Sequence, residues 1–271
     1  IRSAVDVPTD TQADLCLRAG YLSLRSISDF FNLPYDPEPS FPSHSISISR
    51  EEFDLACTEL AESGELERVH GGAILPSTTV NIAYNERRML NQAAKVDIAR
   101  ACARQIPNDC AVFLNIGTTT EAVATELLNH EGLLVVTNNM NIATILSVSK
   151  HIDVIVTGGE LRQSDGGLIG DLAQNTINQF RFDYAIIGCS ALRQNGDLMD
   201  FDIQEVSVSK TIIRQSENII LVADNSKFDR KAPAFVASMD CVSTLVTNLE
   251  VPAECQSQCE ASGTKIIYAK P

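Results

Sequence analysis

Five polar stretches in this 271-residue chain each follow a short apolar run directly, a spacing that can gather them on one rim. The first is Asn115-Ile116-Gly117-Thr118-Thr119-Thr120, after Cys110–Leu114. Gly117 lets the backbone approach a ligand closely. Threonines at a helix start set hydroxyls beside free amides, where the helix dipole favours an anion. The same residues also suit an ordinary strand–helix turn with a threonine cap, and this stretch alone leaves both readings open. Thr137-Asn138-Asn139, Gly158-Gly159-Glu160-Leu161, Gly188-Cys189-Ser190 and Asp224-Asn225-Ser226-Lys227-Phe228 close the later runs, with Asp165-Gly166-Gly167 and Gly170 between them. Each stretch alone is loop chemistry. Together they set hydroxyls, amides and one ammonium on one rim. A phosphorylated polyol needs that set: an anion hole, several donors and acceptors, and a cation.

Asp202 and Glu205 stand at the start of a later helix. They can be N-terminal charges favoured by the dipole, solvated charges, carboxylates that accept sugar hydroxyls, or an acid–base pair. His44, His70, His130 and His151 are scattered, with no serine–acid or metal pattern near them, so no catalytic residue is assigned. Cys255 and Cys259 are the only close pair among eight cysteines, and their spacing without a second pair is a poor zinc signature. Neither a metal nor a cofactor is expected. Most of the cysteines sit in apolar context, as buried thiols do in a reducing compartment.

The elements that must position these residues follow from periodicity. From Asn91 onward, short apolar strands alternate with helices. Strands are predicted at Cys110–Leu114, Leu133–Thr137, Asp153–Thr157, Phe182–Ile187, Asn218–Ala223, Cys241–Val246 and Thr264–Tyr268. Helices are predicted at Lys95–Gln105, Thr119–Leu128, Met140–Ser149, Asn175–Phe180 and Ile203–Gln215. That pattern predicts an α/β fold whose parallel sheet is covered on both faces, and such sheets bind ligands beyond the carboxyl ends of their strands. Before it, Thr11–Ala19, Leu24–Leu33 and Arg50–Gly64 read as helices and Pro34–Ser49 as a loop. Glu65–Val69 and Ala73–Leu75 flank His70-Gly71-Gly72 as a hairpin. This is the order of a winged helix, and it divides the chain into residues 1–75 and 76–271.

Apolar residues make up 44% of the chain, ample for a core. No apolar run is long enough to span a bilayer, and Ile1-Arg2-Ser3-Ala4-Val5-Asp6 does not read as a secretory signal. A soluble cytoplasmic protein without a membrane partner is expected. The net charge of −14 argues against a protein whose whole surface grips nucleic acid. Residues 1–67 hold four basic and thirteen acidic residues, a net −9.

Leu66-Glu67-Arg68-Val69-His70-Gly71-Gly72-Ala73 resembles the wing segment that joins the two domains of DeoR-type repressors. Asn115–Thr120, Thr137–Asn139, Gly158–Leu161 and Asp224–Phe228 resemble the successive motifs of that family's sensor domain. The similarity runs from about Gly20 to Glu250 and is nearest to the branch that represses glycerol-3-phosphate regulons. The resemblance implies the fold of ribose-5-phosphate isomerase and glucosamine-6-phosphate deaminase for the sensor. It implies a sugar-phosphate or polyol-phosphate effector that weakens operator binding, and a homodimer or homotetramer. It places the phosphate on Gly117, Thr118, Thr119 and Thr120. Thr137, Asn138, Asn139, Gly158, Gly159, Glu205 and Lys227 line the remainder, and Asn115 opens the loop.

The chain departs from the family in places. Asn115 stands where the family usually has Asp, which weakens any acid–base role. Glu52-Phe53-Asp54-Leu55-Ala56 replaces the usual Thr-Ile-Arg-Arg-Asp, and Pro34–Ser49 is an insertion. Arg25, Arg50 and Arg68 are the candidate DNA contacts. Phosphate contacts need Lys or Arg, so DNA binding by this acidic head is expected to be weak. A ligand-gated repressor is the expected function. The rivals are a sugar-phosphate isomerase or deaminase on the same fold, a regulator that has lost DNA binding, and an acidic head that binds a protein partner.

Overall fold

The computed structural model of the protein describes residues 84–270 and, before them, the backbone of four strands. These are Ala13–Leu15 (β1), Ile46–Ile48 (β2), Glu67–Val69 (β3) and Gly72–Ile74 (β4). The chain divides into two units, Ile1–Ser77 and Thr78–Pro271.

In the first unit β1 pairs antiparallel with β2, and β3 with β4. The hairpin expected around His70-Gly71 is present. The helix expected over Thr11–Ala19 is replaced by β1, and the loop expected over Pro34–Ser49 contains β2. Both corrections have one cause. Ala13, Leu15 and Leu17 recur at every second residue, as do Ile46 and Ile48 between serines, and period two belongs to a strand. The helices expected at Leu24–Leu33 and Arg50–Gly64, with Arg25 and Arg50, lie outside the described residues. Arg68 lies in β3.

The second unit begins with Tyr84–Met89 (α1), Gln92–Ala103 (α2), Ala111–Leu114 (β5), Thr118–Leu127 (α3), Leu133–Thr137 (β6), Met140–Leu146 (α4) and Ile152–Val156 (β7). A small hairpin follows, Glu160–Arg162 (β8) and Gly167–Ile169 (β9), then Asp171–Ile177 (α5), Phe182–Ile187 (β10), Ala191–Leu192 (β11) and Leu198–Asp200 (β12). The chain continues through Ile203–Arg214 (α6), Ser216–Val222 (β13), Ala234–Ala237 (β14), Thr244–Thr247 (β15), Ala253–Ser262 (α7) and Lys265–Tyr268 (β16).

Seven strands form one sheet in the order β16-β15-β13-β10-β5-β6-β7. Every pairing in it is parallel. The alternation of apolar strands and helices in the sequence predicts this α/β fold. Successive residues of each strand go to opposite faces. Phe113, Ala185, Ile187 and Leu221 enter one buried cluster with Ala173 and Ile177 of α5, Val208 and Ile212 of α6, and Cys255 and Cys259 of α7. Val112, Leu114, Ile186, Ile220 and Val222 enter the other, with Ile98 and Cys102 of α2, Val123 and Leu127 of α3, and Leu146 of α4. Cys255 and Cys259 therefore act as small apolar core residues.

Some boundaries differ from expectation. Helix α5 starts at Asp171 rather than Asn175, directly after Gly170 at φ 89°. A short 3-10 turn at Met239–Cys241 replaces the expected start of β15, which begins at Thr244. Hairpin β8–β9, the small antiparallel sheet β11-β12-β14 and helix α7 are additions to the predicted elements.

The order of the strands fixes where a ligand can bind. The chain lays down β5, β6 and β7 in one direction, then returns to place β10 on the other side of β5 and builds outward to β16. The loops after β5 and β10 therefore diverge and leave a crevice at the carboxyl ends of the strands. Phe113 sits beside that reversal, fully buried, with its ring 5.2 Å from that of Phe182 in an edge arrangement. Phe113→Ala should cost about 3–5 kcal/mol. Urea unfolding at constant m-value measures it, and a loss under about 1 kcal/mol would contradict this packing.

Candidate functional site

The β5 loop lies at the switch point. Gly117 there has φ 145°, a conformation that disfavours any residue with a Cβ. No side chain caps α3, so the amides of its first turn keep their positive end toward the crevice. Thr119 and Thr120 are buried. Thr120 donates its hydroxyl to the Gly117 carbonyl at 2.7 Å, and Thr118 donates to the Arg87 carbonyl at 3.5 Å.

A cationic corner flanks that helix start. Lys95 on α2 is 6% exposed, and its Nζ donates to the same Arg87 carbonyl. Burial lowers Lys95 to about 8; Asp224 opposes the shift, and Lys227, Arg230 and Arg87 add to it. Lys227, expected at this rim, is also pushed down by burial, with Asp224 opposing and Arg230 adding. Burial works against the charge of Asp224, but Lys227, hydrogen bonds from Ser226 and Lys95 hold its carboxyl below the usual range. Asn91 donates to Asp224 at 3.1 Å. Lys95 and Lys227 thus flank Asp224, with Arg87 and Arg230 close to both lysines.

The other half of the rim is acidic and organised by Arg162 at the end of β8. Its guanidinium grips Asp165 through two contacts of 2.9 and 2.7 Å, and reaches Asp202 and Glu205 at 2.8 Å each. Burial works against the Arg162 charge, but the bonds to Asp165 and the Glu205 charge more than offset it. Asp202 also caps α6, accepting from the Gln204 amide at 2.8 Å, so capping and an ion pair coexist there. Burial pushes Glu205 up to about 7, with Asp200 adding and Arg162 opposing. Asp200 is itself raised by burial, against hydrogen bonds from the Phe201 amide and Ser190.

Hydroxyl and amide groups bridge the halves. Asn139 caps α4 and donates to Glu121 at 3.1 Å. Asn141 donates to Glu121 at 3.0 Å and to the Asp165 carbonyl at 3.1 Å. The Tyr84 hydroxyl donates to Glu121 at 2.8 Å. Burial pushes that phenol up to about 12, with the Glu121 bond adding.

The structure brings most of the sequence-predicted residues to this rim and divides them by role. Thr137 braces the sheet end, donating to the Leu114 carbonyl at 2.7 Å. Asn115 donates to Ser209 of α6 at 3.0 Å and accepts from the Ile116 amide at 2.8 Å. Asn138 is fully buried and donates to the Leu168 carbonyl at 3.2 Å, while its Oδ1 has no donor among the described residues. Gly159 has φ 127°, and a Cβ there would lie 2.5 Å from the Ile169 carbonyl oxygen. Gly158 packs beside Leu172.

Sequence reasoning missed Tyr84, Arg87, Lys95, Glu121 and Arg162 as parts of one site. For Lys95 a signal existed. It occupies the buried stripe with Ile98, Ala99 and Cys102 at helical spacing, and a lysine in an apolar stripe needs a reason.

Glu205 gives the rim a pH signature. Its folded value lies above its ordinary one, so the protonated form favours the fold. Stability from this group is full below about pH 4.5 and is lost as pH rises toward about 7. Wild-type urea midpoints should fall across that window, and Glu205→Gln should flatten the fall. Parallel midpoint curves for the two proteins would assign the titration to another group.

Residues 90–249 match the DeoR C-terminal sensor domain. The chain is 39% identical over 239 residues to the glycerol-3-phosphate regulon repressor of Escherichia coli K12, covering 88% of this chain and 89% of that protein. It is 42% identical to the Haemophilus influenzae protein of the same description, covering 77% of this chain and 81% of that one. Among solved structures, ribose 5-phosphate isomerase A from Neisseria gonorrhoeae aligns over 54% of this chain and 55% of its own, with 14% identity and a TM-score of 0.39. A sensor-domain match over more than half of the chain, joined to relatives of this identity along most of its length, means that the chain belongs to the DeoR family.

Proposed function

We propose that the chain is a transcriptional repressor whose operator binding is relieved by a phosphorylated sugar or polyol held at the switch point. The observation that carries this reading is the pairing, on one rim, of a cationic corner at an uncapped helix start with a half rich in carboxylates and amides. The first suits a phosphate and the second suits hydroxyls. The relatives' description as glycerol-3-phosphate regulon repressors supports a regulator of glycerol or carbohydrate genes, with glycerol 3-phosphate the first effector to test.

In this reading residues 1–75 are the DNA-binding domain and 76–271 the sensor. Arg25, Arg50 and Arg68 contact DNA, and a homodimer or homotetramer multiplies those few cations. The protein works in the cytoplasm. Among the described residues no helix is long and apolar enough to cross a membrane.

Gel-shift titration of the full chain against a glycerol-regulon operator, at two salt concentrations, tests the reading. Binding that weakens with salt and is released by a phosphorylated polyol supports it. Turnover of ribose 5-phosphate or glucosamine 6-phosphate would make the protein an enzyme instead. The effector loop has its own test. Thr119→Val should weaken phosphorylated effectors roughly tenfold to a hundredfold, as loss of a charge-assisted bond does, and leave unphosphorylated polyols unaffected. Equal calorimetric affinities for variant and wild type would remove the Gly117–Thr120 loop from the site.

A further inference from the structure

The Arg87 carbonyl stands where an anionic oxygen would bind. Two donors of the rim converge on it: the Lys95 ammonium and the Thr118 hydroxyl. Lys95 is nearly fully buried, and its ammonium points at a neutral carbonyl, with Asp224 as its nearby counter-charge amid Arg87, Lys227 and Arg230. Carbonyls in the last turn of a helix lack intrahelical partners and carry partial negative charge. Helix α1 ends at Met89, so the Arg87 carbonyl is one of these.

The same short helix is fastened to the rim at other points. Tyr84 reaches Glu121 at 2.8 Å and accepts from Asn141 at 3.0 Å. The Arg87 guanidinium touches Asp165 at 3.4 Å. That contact is weak, because Asp165 already receives both of its short contacts from Arg162. The Arg87 Nε is buried without an acceptor among the described residues. Helix α1 starts seven residues after Ser77, where the first unit ends.

We propose that α1 plugs the anion end of the site with the Arg87 carbonyl, and that a bound phosphate takes Lys95 and Thr118 from it and releases α1. This rests on the phosphate-effector reading above and adds to it a ligand-driven change in α1, through competition for Lys95 and Thr118. The exchange is favourable because a full negative charge replaces a carbonyl dipole in front of a buried ammonium, and charge-assisted bonds are about twice as strong as neutral ones. The guanidinium of Arg87, held only weakly by Asp165, is free to follow the anion. Ligand occupancy is then coupled to α1 by competition for the same donors, which supplies the differential contacts that any ligand-driven change requires.

Calorimetry and amide hydrogen exchange on the full chain test this, with glycerol 3-phosphate, glycerol and inorganic phosphate as probes. In the wild type, glycerol 3-phosphate or inorganic phosphate should speed exchange over residues 84–91, and glycerol should not. Lys95→Met should bind glycerol 3-phosphate roughly tenfold to a hundredfold more weakly. Its α1 should exchange fast with or without ligand. A thermal melt checks that the variant is folded, and Lys95→Arg, which keeps the charge, should recover part of the affinity. Wild-type affinity in Lys95→Met, or α1 exchange unchanged by phosphate in the wild type, overturns the proposal. Loss of affinity in Thr119→Val but not in Lys95→Met sinks the plug alone and leaves the effector reading standing. Release of α1 by inorganic phosphate, with no binding of any phosphorylated polyol, keeps the plug and sinks the effector reading.

Discussion

Both faces of the seven-stranded sheet are buried, and this confines polar chemistry to the strand ends. Phe113 and its neighbours fill one face, and Val112, Leu114 and Ile186 the other. An unpaired polar group on either face would cost several kcal/mol. At the carboxyl ends that cost is avoided, because helix starts supply free amides and the loops supply side chains. The reversal of strand order between β5 and β10 then opens those loops apart. The same constraint explains why residues from α1, α2, α3, β8 and α6, far apart in sequence, meet at a single rim.

Electrostatics divides that rim. On one side a single guanidinium holds three carboxylates within 2.9 Å. Removing one partner from such a partly buried cluster leaves uncompensated charge and typically costs about 3–5 kcal/mol, so Arg162 organises the acidic half rather than decorating it. On the other side the balance is reversed. Four cations share that corner with Asp224, and burial first, then the neighbouring cations, depress Lys95 and Lys227. The contact between the halves, Arg87 to Asp165, is both the longest and the least exclusive of the set. A ligand that carries a dianion at one end and hydroxyls at the other would complete both halves at once.

Much of this was legible in the chain because apolar runs of four to six residues ended in polar ones. That pattern located β5, β6, β10 and the loops after them, and placed Gly117, Thr137–Asn139, Gly158–Gly159 and Lys227 on one rim. Reading failed where a signal was brief or needed a partner. Helix α7 was bracketed by Pro252 and the left-handed Gly263, but its face toward the core is only two cysteines wide. The β8–β9 hairpin is two three-residue strands, the first largely exposed and the second buried, too short for periodicity. Arg162 is unremarkable in sequence; only the fold puts Asp202 and Glu205, forty residues on, against it. At Ala13–Leu15 the error was one of period, since alternation by two was taken for a helical stripe.

Asn115 shows how one side chain braces the β5 loop from two sides. The family usually carries Asp at this place, and an ionised carboxylate can only accept. The amide here does both, donating to Ser209 on α6 and accepting from the Ile116 backbone. That ties the β5 loop to the helix that carries Glu205, and it removes a candidate base from the crevice. Other carboxylates of the rim are braced as well. Asp202 caps its helix, Asp165 is gripped by Arg162, and Glu121 takes hydrogen bonds from Tyr84, Asn139 and Asn141. Hydrogen bonds among α1, α3, α4, β8 and α6 thus hold the rim in shape.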